Sequence, residues 1–163
     1  MKSEFTSAST RFDELKSSPD FLNFVLDNIN NCVLMLNSEM ELQAFNNPFK
    51  TIFTNMAGED LLYVRCGEAL GCAYTVEEQK DCGKTSKCSS CELRKNALIS
   101  YTTKKPMYRK RLEREFYKFL GAKETRLLEY SIKPVYLSNH YYLLVIINDI
   151  TFTQLKPSIE SKN

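Results

Sequence analysis

The sequence predicts an α+β fold in which helices pack on one face of an antiparallel sheet. A helical segment with regularly spaced apolar residues follows Ser18, and two short strands come after it. The middle of the chain is rich in turns and short helices, whereas the last third holds segments rich in Val, Ile and Tyr. This order of a helix, two strands, further helices and three strands suits a sheet of five antiparallel strands with an N-terminal helix.

Capping residues and residue spacing predict the N-terminal elements. Ser18 followed by Pro19 is a typical N-cap and first helical residue. Two strands are predicted at residues 32–36 and 41–46, with a turn at residues 37–39 between them. A short helix then begins at an Asn-Pro pair.

One helix and three strands are predicted in the C-terminal half. The helix covers residues 91–101, where Leu93 and Ala97 lie at helical spacing. Turn residues at Gly121 and at a Ser-Asn pair separate segments that are rich in β-branched and aromatic side chains. These segments predict strands at residues 107–120, 125–137 and 140–150.

Composition and charge exclude several classes of protein. The chain has 163 residues, of which 43% are hydrophobic, enough for one domain with a buried core. A net charge of +2 gives no electrostatic reason to expect binding to nucleic acid. The longest apolar run, near residues 141–147, is too short to span a membrane, and the N-terminal segment lacks the apolar core of a signal peptide. The chain is therefore expected in the cytoplasm, where thiols stay reduced.

The chain divides into three segments. Residues 1–18 are polar and are predicted to form a flexible arm, and residues 152–163 form a short polar tail. Residues 19–151 form the predicted domain, with a cysteine-rich insertion at residues 66–91. Because the tail is too short for an output domain, we expect output from another protein or from self-association.

Five of the six cysteines lie in the insertion, and the last four of these have the spacing C-x9-C-x5-C-x2-C. A C-x2-C pair places two thiolates on one tight turn, and two further thiolates complete the ligand number of a Zn²⁺ ion or a [4Fe–4S] cluster. In a reducing compartment, such clustering marks metal or redox chemistry more often than structural disulfides. The predicted metal ligands are Cys72, Cys82, Cys88 and Cys91.

The residues around these cysteines favour thiolate binding. Gly83 allows backbone amides to turn toward a sulfur atom. Cys91 lies where a helix begins, so that the helix N-terminus favours its thiolate. Lys80, Lys84 and Lys87 are expected to offset the negative charge of a site with four cysteines and to lower the pKa of its thiols.

Other chemically active residues are assigned to structural roles. Cys32 lies in a predicted strand and is expected to be a small buried side chain, and Cys66 is left outside the ligand set. His140, the single histidine, is expected at a solvated turn, and the basic segment 104–114 on a solvated strand. Because no nucleophile–base pair and no phosphate-binding loop is recognisable, the chain is not expected to be an enzyme.

Several segments resemble the PAS family. Residues 24–53, FVLDNINNCVLMLNSEMELQAFNNPFKTIF, are similar to the opening of PAS domains, where a helix leads to two strands and to a helix with an N-x-x-F start. Residues 145–151, VIINDIT, resemble the last strand with its Asp-Ile-Thr triplet. GEALGC at residues 67–72 and CGKTSKCSSC at residues 82–91 resemble a cysteine-bearing subgroup of bacterial sensor PAS domains, although Cys66 stands where that phrase has proline.

This resemblance implies a pocket between the five-stranded sheet and the helices, and a role in sensing a small molecule, light, redox state or oxygen. It also implies that the signal leaves through a flanking helix or a homodimer face, toward a partner such as a histidine kinase or a regulator. Since a redox-active or oxygen-labile centre suits such a sensor, a [4Fe–4S] cluster is favoured over Zn²⁺ at the four cysteines.

Other interpretations stay open at this point. A protein-interaction module with a structural zinc would use the same cysteines without any sensing. A thiol–disulfide switch between a pair such as Cys82 and Cys88 would need no metal, and an organic ligand could occupy the pocket. A brown protein that bleaches in air would support the sensor, whereas a colourless zinc protein would support the interaction module.

Overall fold

The computed structural model describes residues 15, 17–53, 61–118 and 121–153. Within these ranges it contains five strands, which are β1 (Cys32–Leu36), β2 (Leu42–Phe45), β3 (Met107–Tyr117), β4 (Lys123–Leu137) and β5 (His140–Asp149). Its α-helices are α1 (Pro19–Asn28), α2 (Asn47–Ile52), α3 (Cys66–Leu70), α4 (Ala73–Glu78) and α5 (Glu92–Thr103), and a 3₁₀ turn covers Cys88–Ser90. The strands form an antiparallel sheet in the order β2-β1-β5-β4-β3, which confirms the predicted fold class.

Helix α1 begins where its capping residues predict. The hydroxyl of Ser18 accepts a hydrogen bond from the amide of Phe21 at 3.3 Å. The apolar spacing of this segment correctly predicts a helix, yet none of its residues is buried. Leu22 and Phe24 are 54% and 66% exposed, so part of the apolar side of α1 is accessible to solvent.

Alternate residues of the central strands form the core. Successive side chains of a strand point to opposite faces, and one face of this sheet is buried. Helices α2, α3 and α5 cover that face with Phe49, Leu70 and Leu93. The strand residues beneath them are Cys32, Leu34, Leu36, Leu42, Leu112, Phe116, Leu128, Tyr130, Ile132, Leu143, Val145 and Ile147.

Strand ends differ from the prediction by a few residues. The strand predicted at residues 107–120 ends at Tyr117, and β4 starts at Lys123, because a turn around Gly121 (φ 83°) lies between them. The predicted arm at residues 1–18 and the tail at residues 152–163 fall almost wholly outside the described residues. Among the described residues, no helix has both the length and the apolar character needed to cross a membrane.

The segment around α3 pairs with both edges of the sheet. At the edge formed by β2, the Leu42 amide donates to the carbonyl of Val64 and the Tyr63 amide donates to the carbonyl of Leu42, each at 2.7 Å. At the opposite edge, the Tyr117 amide of β3 donates to the carbonyl of Gly71 at 2.7 Å. Helix α3 is therefore anchored to the sheet on both sides.

Candidate functional site

The phrase GEALGC forms helix α3 and its two ends. The carboxylate of Glu68 accepts a hydrogen bond from the Arg65 amide at 3.2 Å, which caps the start of the helix. Gly71 adopts a left-handed conformation (φ 76°) and ends the helix, so that Cys72 leaves in a new direction. As a result, Cys66 and Cys72 stand at opposite ends of one short helix.

The same helix holds Cys82 in place. The other oxygen of Glu68 accepts from the Cys82 amide at 3.1 Å, and the Arg65 guanidinium donates to the Cys82 carbonyl at 3.0 Å. A Cβ atom at Gly67 would lie only 2.7 Å from Sγ of Cys82. The glycine of the GEALGC phrase is therefore what allows the Cys82 thiol to approach the helix.

The turn after Cys82 directs backbone groups at sulfur, as predicted for Gly83. This glycine has φ of 102°, and its amide donates to Sγ of Cys88 at 3.0 Å. The hydroxyl of Thr85 lies 2.9 Å from the same sulfur. Cys91 is the N-cap residue of α5, in agreement with the prediction that a helix begins there.

All four predicted ligands line one cavity of about 40 Å³. Cys72, Cys82, Cys88 and Cys91 face it from the insertion, and apolar side chains of β1, β3 and α5 form its floor and wall. Cys66, which the sequence analysis leaves out, lines the same cavity. The structure thus brings together five thiols that are spread over 26 residues of chain, from 66 to 91.

Two arginines supply the positive charge of this cavity. Arg94 of α5 and Arg114 of β3 line it, and no carboxylate is among the residues that line it. Nη1 of Arg114 lies 3.8 Å from Sγ of Cys72, and its guanidinium lies 5.2 Å from the centre of the Tyr74 ring. These two guanidinium groups therefore form the positively charged part of the cavity lining.

The three lysines that are predicted to offset the charge of the site lie outside the cavity. None of Lys80, Lys84 and Lys87 lines the cavity. Lys84 pairs with Asp81 at 3.0 Å and Lys80 with Glu78 at 3.8 Å, both in contact with solvent. Their long side chains extend into water, where charges are screened, so they act weakly on the buried thiols.

Each of the two arginines has a local signal in the sequence. Arg94 lies three residues after Cys91, which places both on one side of α5. Arg114 lies two residues from Leu112 and two residues from Phe116 in β3. Because every second side chain of a strand lies on the same face, Arg114 shares the core face with them. The expectation that the basic segment 104–114 is wholly solvated is therefore wrong at Arg114.

Burial and hydrogen bonding shift the pKa values of the thiols in different directions. Burial raises the pKa of Cys66 well above its usual value, and neighbouring cysteines raise it further. Burial also raises the pKa of Cys82. At Cys88, burial is outweighed by hydrogen bonds from Thr85 and from backbone amides and by the charge of Arg94, so that the pKa of its thiol is lowered.

The residues that line the cavity have the donor chemistry needed to bind a group through thiolates. It offers sulfur ligands, two counter-charges and a buried donor, Nη1 of Arg94, that has no hydrogen-bond partner. Across the described ranges, no three side chains of His, Cys, Asp or Glu form a group that could hold a metal ion. The ligand set stays a prediction: the shared cavity supports it, whereas the described thiols are not arranged as a group that holds a metal ion.

Cys32 and His140 lie apart from the cavity, as expected. Cys32 is fully buried in β1. Burial, followed in size by the effect of the Asp149 carboxylate, raises the pKa of its thiol to about 12. His140 is the exposed first residue of β5.

The Asp-Ile-Thr triplet ties the end of β5 to β4. The carboxylate of Asp149 pairs with the buried guanidinium of Arg126, which also contacts Glu124 at 2.8 Å. The hydroxyl of Thr151 accepts from the Leu127 amide at 2.9 Å. The triplet thus fixes the position at which the chain leaves the sheet.

Comparison with known proteins gives structural matches. No family model matches the chain, and no curated protein is significantly similar to it in sequence. The PAS domain of nitrogen regulation protein NR(II) from Vibrio parahaemolyticus is 14% identical with a TM-score of 0.53, over 79% of this chain and 97% of that one.

Two further structures agree with that match. The PAS domain of an HTR-like protein from Haloarcula marismortui is 14% identical with a TM-score of 0.55, over 83% of this chain and 100% of that one. A PAS domain from a two-component sensor histidine kinase is 13% identical with a TM-score of 0.50, over 84% and 98% of the two chains. Together with the five-stranded sheet and its helices, these matches show that the chain has the fold of a PAS domain.

Proposed function

We propose that this chain is a non-enzymatic signal-sensing module whose insertion holds a metal centre, with a [4Fe–4S] cluster favoured over Zn²⁺. The observation that carries the proposal is the gathering of the insertion's thiols around one cavity against the sheet. A similar fold in a two-component sensor histidine kinase supports the sensing role. The proposed ligands are Cys72, Cys82, Cys88 and Cys91.

The chemistry of the site would depend on the metal. A [4Fe–4S] cluster would supply a redox-active or oxygen-labile centre, whereas Zn²⁺ would supply a fixed crosslink. The chain itself contributes the thiolates, the charges of Arg94 and Arg114, and a buried apolar wall that includes Leu93 and Phe116. That wall limits the access of water and so strengthens the electrostatic interactions in the cavity.

Hydrogen bonds give the signal a path from the cavity to the sheet. The residue before Cys72 is bonded to the end of β3 through the Tyr117 amide. Cys91 caps α5, and Asn96 of that helix donates to the phenol oxygen of Tyr130 in β4 at 2.8 Å. Any change in how Cys72 or Cys91 is bound would therefore act on β3 and on α5.

The N-terminal helix is the proposed output surface. Leu22, Phe24 and Val25 of α1 are exposed and apolar, a composition that favours contact with another protein. The proposed partner is a signalling protein such as a histidine kinase or a regulator, or a second copy of this chain. Sedimentation of the metal-loaded and metal-free chain would show whether self-association responds to the centre.

Protein purified without air would test the proposal through its absorption spectrum and its content of iron, zinc and sulfide. Iron and sulfide near four per chain, with a visible band that fades in air, would support the sensor. One zinc per chain with no visible band would support the interaction module instead. Cys88→Ser and Cys91→Ser should lose the metal, whereas Cys32→Ala is the matched control that should keep it. Unchanged metal in both serine variants would disprove the ligand set.

A further inference from the structure

The guanidinium of Arg94 presents an unsatisfied donor at the cysteine cavity. Among the residues that the structure describes, its Nη1 is the one buried side-chain nitrogen or oxygen without a hydrogen-bond partner. Arginine stays protonated in proteins, so this donor carries positive charge. The side chain as a whole is half-buried, but Nη1 itself is shielded from water. A buried donor without a hydrogen-bond partner is unfavourable, and each such case in a folded protein calls for an explanation.

Close packing holds this guanidinium in position. Gly83 lies against it so closely that a Cβ atom there would stand 2.8 Å from both Cζ and Nη2 of Arg94. The amide of the same glycine donates to Sγ of Cys88 at 3.0 Å. One turn of the insertion thus positions both the arginine and a predicted ligand.

The surroundings of Arg94 point to a sulfur-bearing, anionic partner. The cavity that it lines contains thiols but no carboxylate. The second guanidinium, that of Arg114, already lies near a sulfur, with Nη1 3.8 Å from Sγ of Cys72. Four thiolates with Zn²⁺ or with an oxidised [4Fe–4S] cluster carry a net charge of about −2, which two guanidinium groups would neutralise.

We infer that Arg94 donates a hydrogen bond from Nη1 to the group held by the cysteines and provides part of its counter-charge. The inference rests on the proposed function, because it assigns Arg94 a role in the same site. Arg94 is a positioning residue: it binds no metal itself, but it stabilises the thiolates or sulfides that do.

The test compares Arg94→Gln with Lys95→Gln in the full chain, purified without air. Both variants remove one positive charge from α5, but Lys95 is exposed and does not line the cavity. The measurements are iron, zinc and sulfide content and the rate of metal release into excess EDTA. We expect release about 10–100-fold faster from Arg94→Gln and an unchanged rate from Lys95→Gln. Arg94→Lys, which keeps the charge, should fall between Arg94→Gln and the wild type.

Thermal unfolding of the metal-free proteins provides a second readout. Without the bound group, Arg94→Gln removes a buried donor that has no hydrogen-bond partner, so its unfolding temperature should stay close to that of the metal-free wild type. A purely structural role for Arg94 would instead lower the unfolding temperature in both the loaded and the metal-free states.

Each outcome decides the inference. A wild-type chain without any metal overturns the proposed function and this inference together. A metal-loaded wild type whose release rate is unchanged by Arg94→Gln overturns the inference alone. Failure of metal-free Arg94→Gln to fold also overturns it, because the inference requires this variant to be about as stable as the metal-free wild type.

Discussion

Replacing Gly67 with alanine should displace Cys82 and remove one ligand from the proposed metal centre. The backbone of Gly67 is helical, so alanine fits its conformation, but the new Cβ would lie 2.7 Å from Sγ and 3.0 Å from Cβ of Cys82. Cys82 cannot retreat freely, because its amide and carbonyl are bonded to Glu68 and Arg65. The clash must be relieved by rotating the thiol or by breaking these bonds.

The expected magnitudes differ for stability and for metal binding. Overpacking of this kind costs about 1–3 kcal/mol of unfolding free energy, and the better helix propensity of alanine offsets up to about 1 kcal/mol. A net loss of about 1 kcal/mol lowers the melting temperature by roughly 2–4 °C in a domain of this size. Metal binding should fall much further, because one of four thiolates leaves the site.

The assay is metal content per chain after purification without air, together with thermal unfolding. Gly121→Ala is the matched control: its φ of 83° strains an alanine, but the added Cβ would meet no atom within 4 Å. It should lose about 1–2 kcal/mol of stability and no metal. Full metal content in Gly67→Ala would refute the assignment of Cys82 as a ligand.

Three further predictions concern the other buried groups. Cys66→Ala should keep the metal, because four other thiols complete the set, and urea unfolding should show a loss of about 1 kcal/mol; lost metal would make Cys66 a ligand. Cys32 should escape iodoacetamide at mildly alkaline pH, as mass spectrometry would show, because its thiol is buried with a pKa of about 12. Since the unfolded thiol ionises near 9.0, the contribution of Cys32 to stability should be complete below that pH and decrease toward pH 12. Asp149→Asn should cost about 1.5–3 kcal/mol in urea unfolding, because the buried guanidinium of Arg126 keeps Glu124 but loses its charged hydrogen bond to Asp149; an unchanged midpoint would contradict this.

Elements with local signals were predicted well from the sequence. Ser18 caps α1, and β1 covers the predicted residues 32–36, because capping and strand alternation depend on neighbouring residues. The exposure of α1 was not predictable, since the helical spacing of apolar residues does not reveal which surface covers them. That surface depends on the tertiary arrangement and on any partner.

The sequence predicts which thiols lie together at the candidate site, but it does not predict which charged side chains lie beside them. The cysteine spacing correctly indicated that four thiols share one region, because a loop brings nearby residues together. Arg114 approaches Cys72 across 42 positions of sequence, and the isolated backbone bridge between Cys72 and Phe116 brings the two together. The lysines that are adjacent to the cysteines in sequence therefore lie outside the cavity, whereas arginines of α5 and β3 line it.

The attachment of the α3 segment to both sheet edges has a consequence for aggregation. Edge strands with unpaired backbone groups can pair with strands of other molecules, and proteins avoid this by covering them. Here Tyr63 covers part of β2 and Gly71 covers the end of β3. Between them lies helix α3, which begins at Cys66 and is followed by Cys72. If loss of the metal loosens this helix, backbone amides and carbonyls at both edges become available to other chains. The proposed centre would then protect the protein against aggregation as well as carry a signal. The metal-free protein should be the form most prone to pairing of its edge strands with those of other chains.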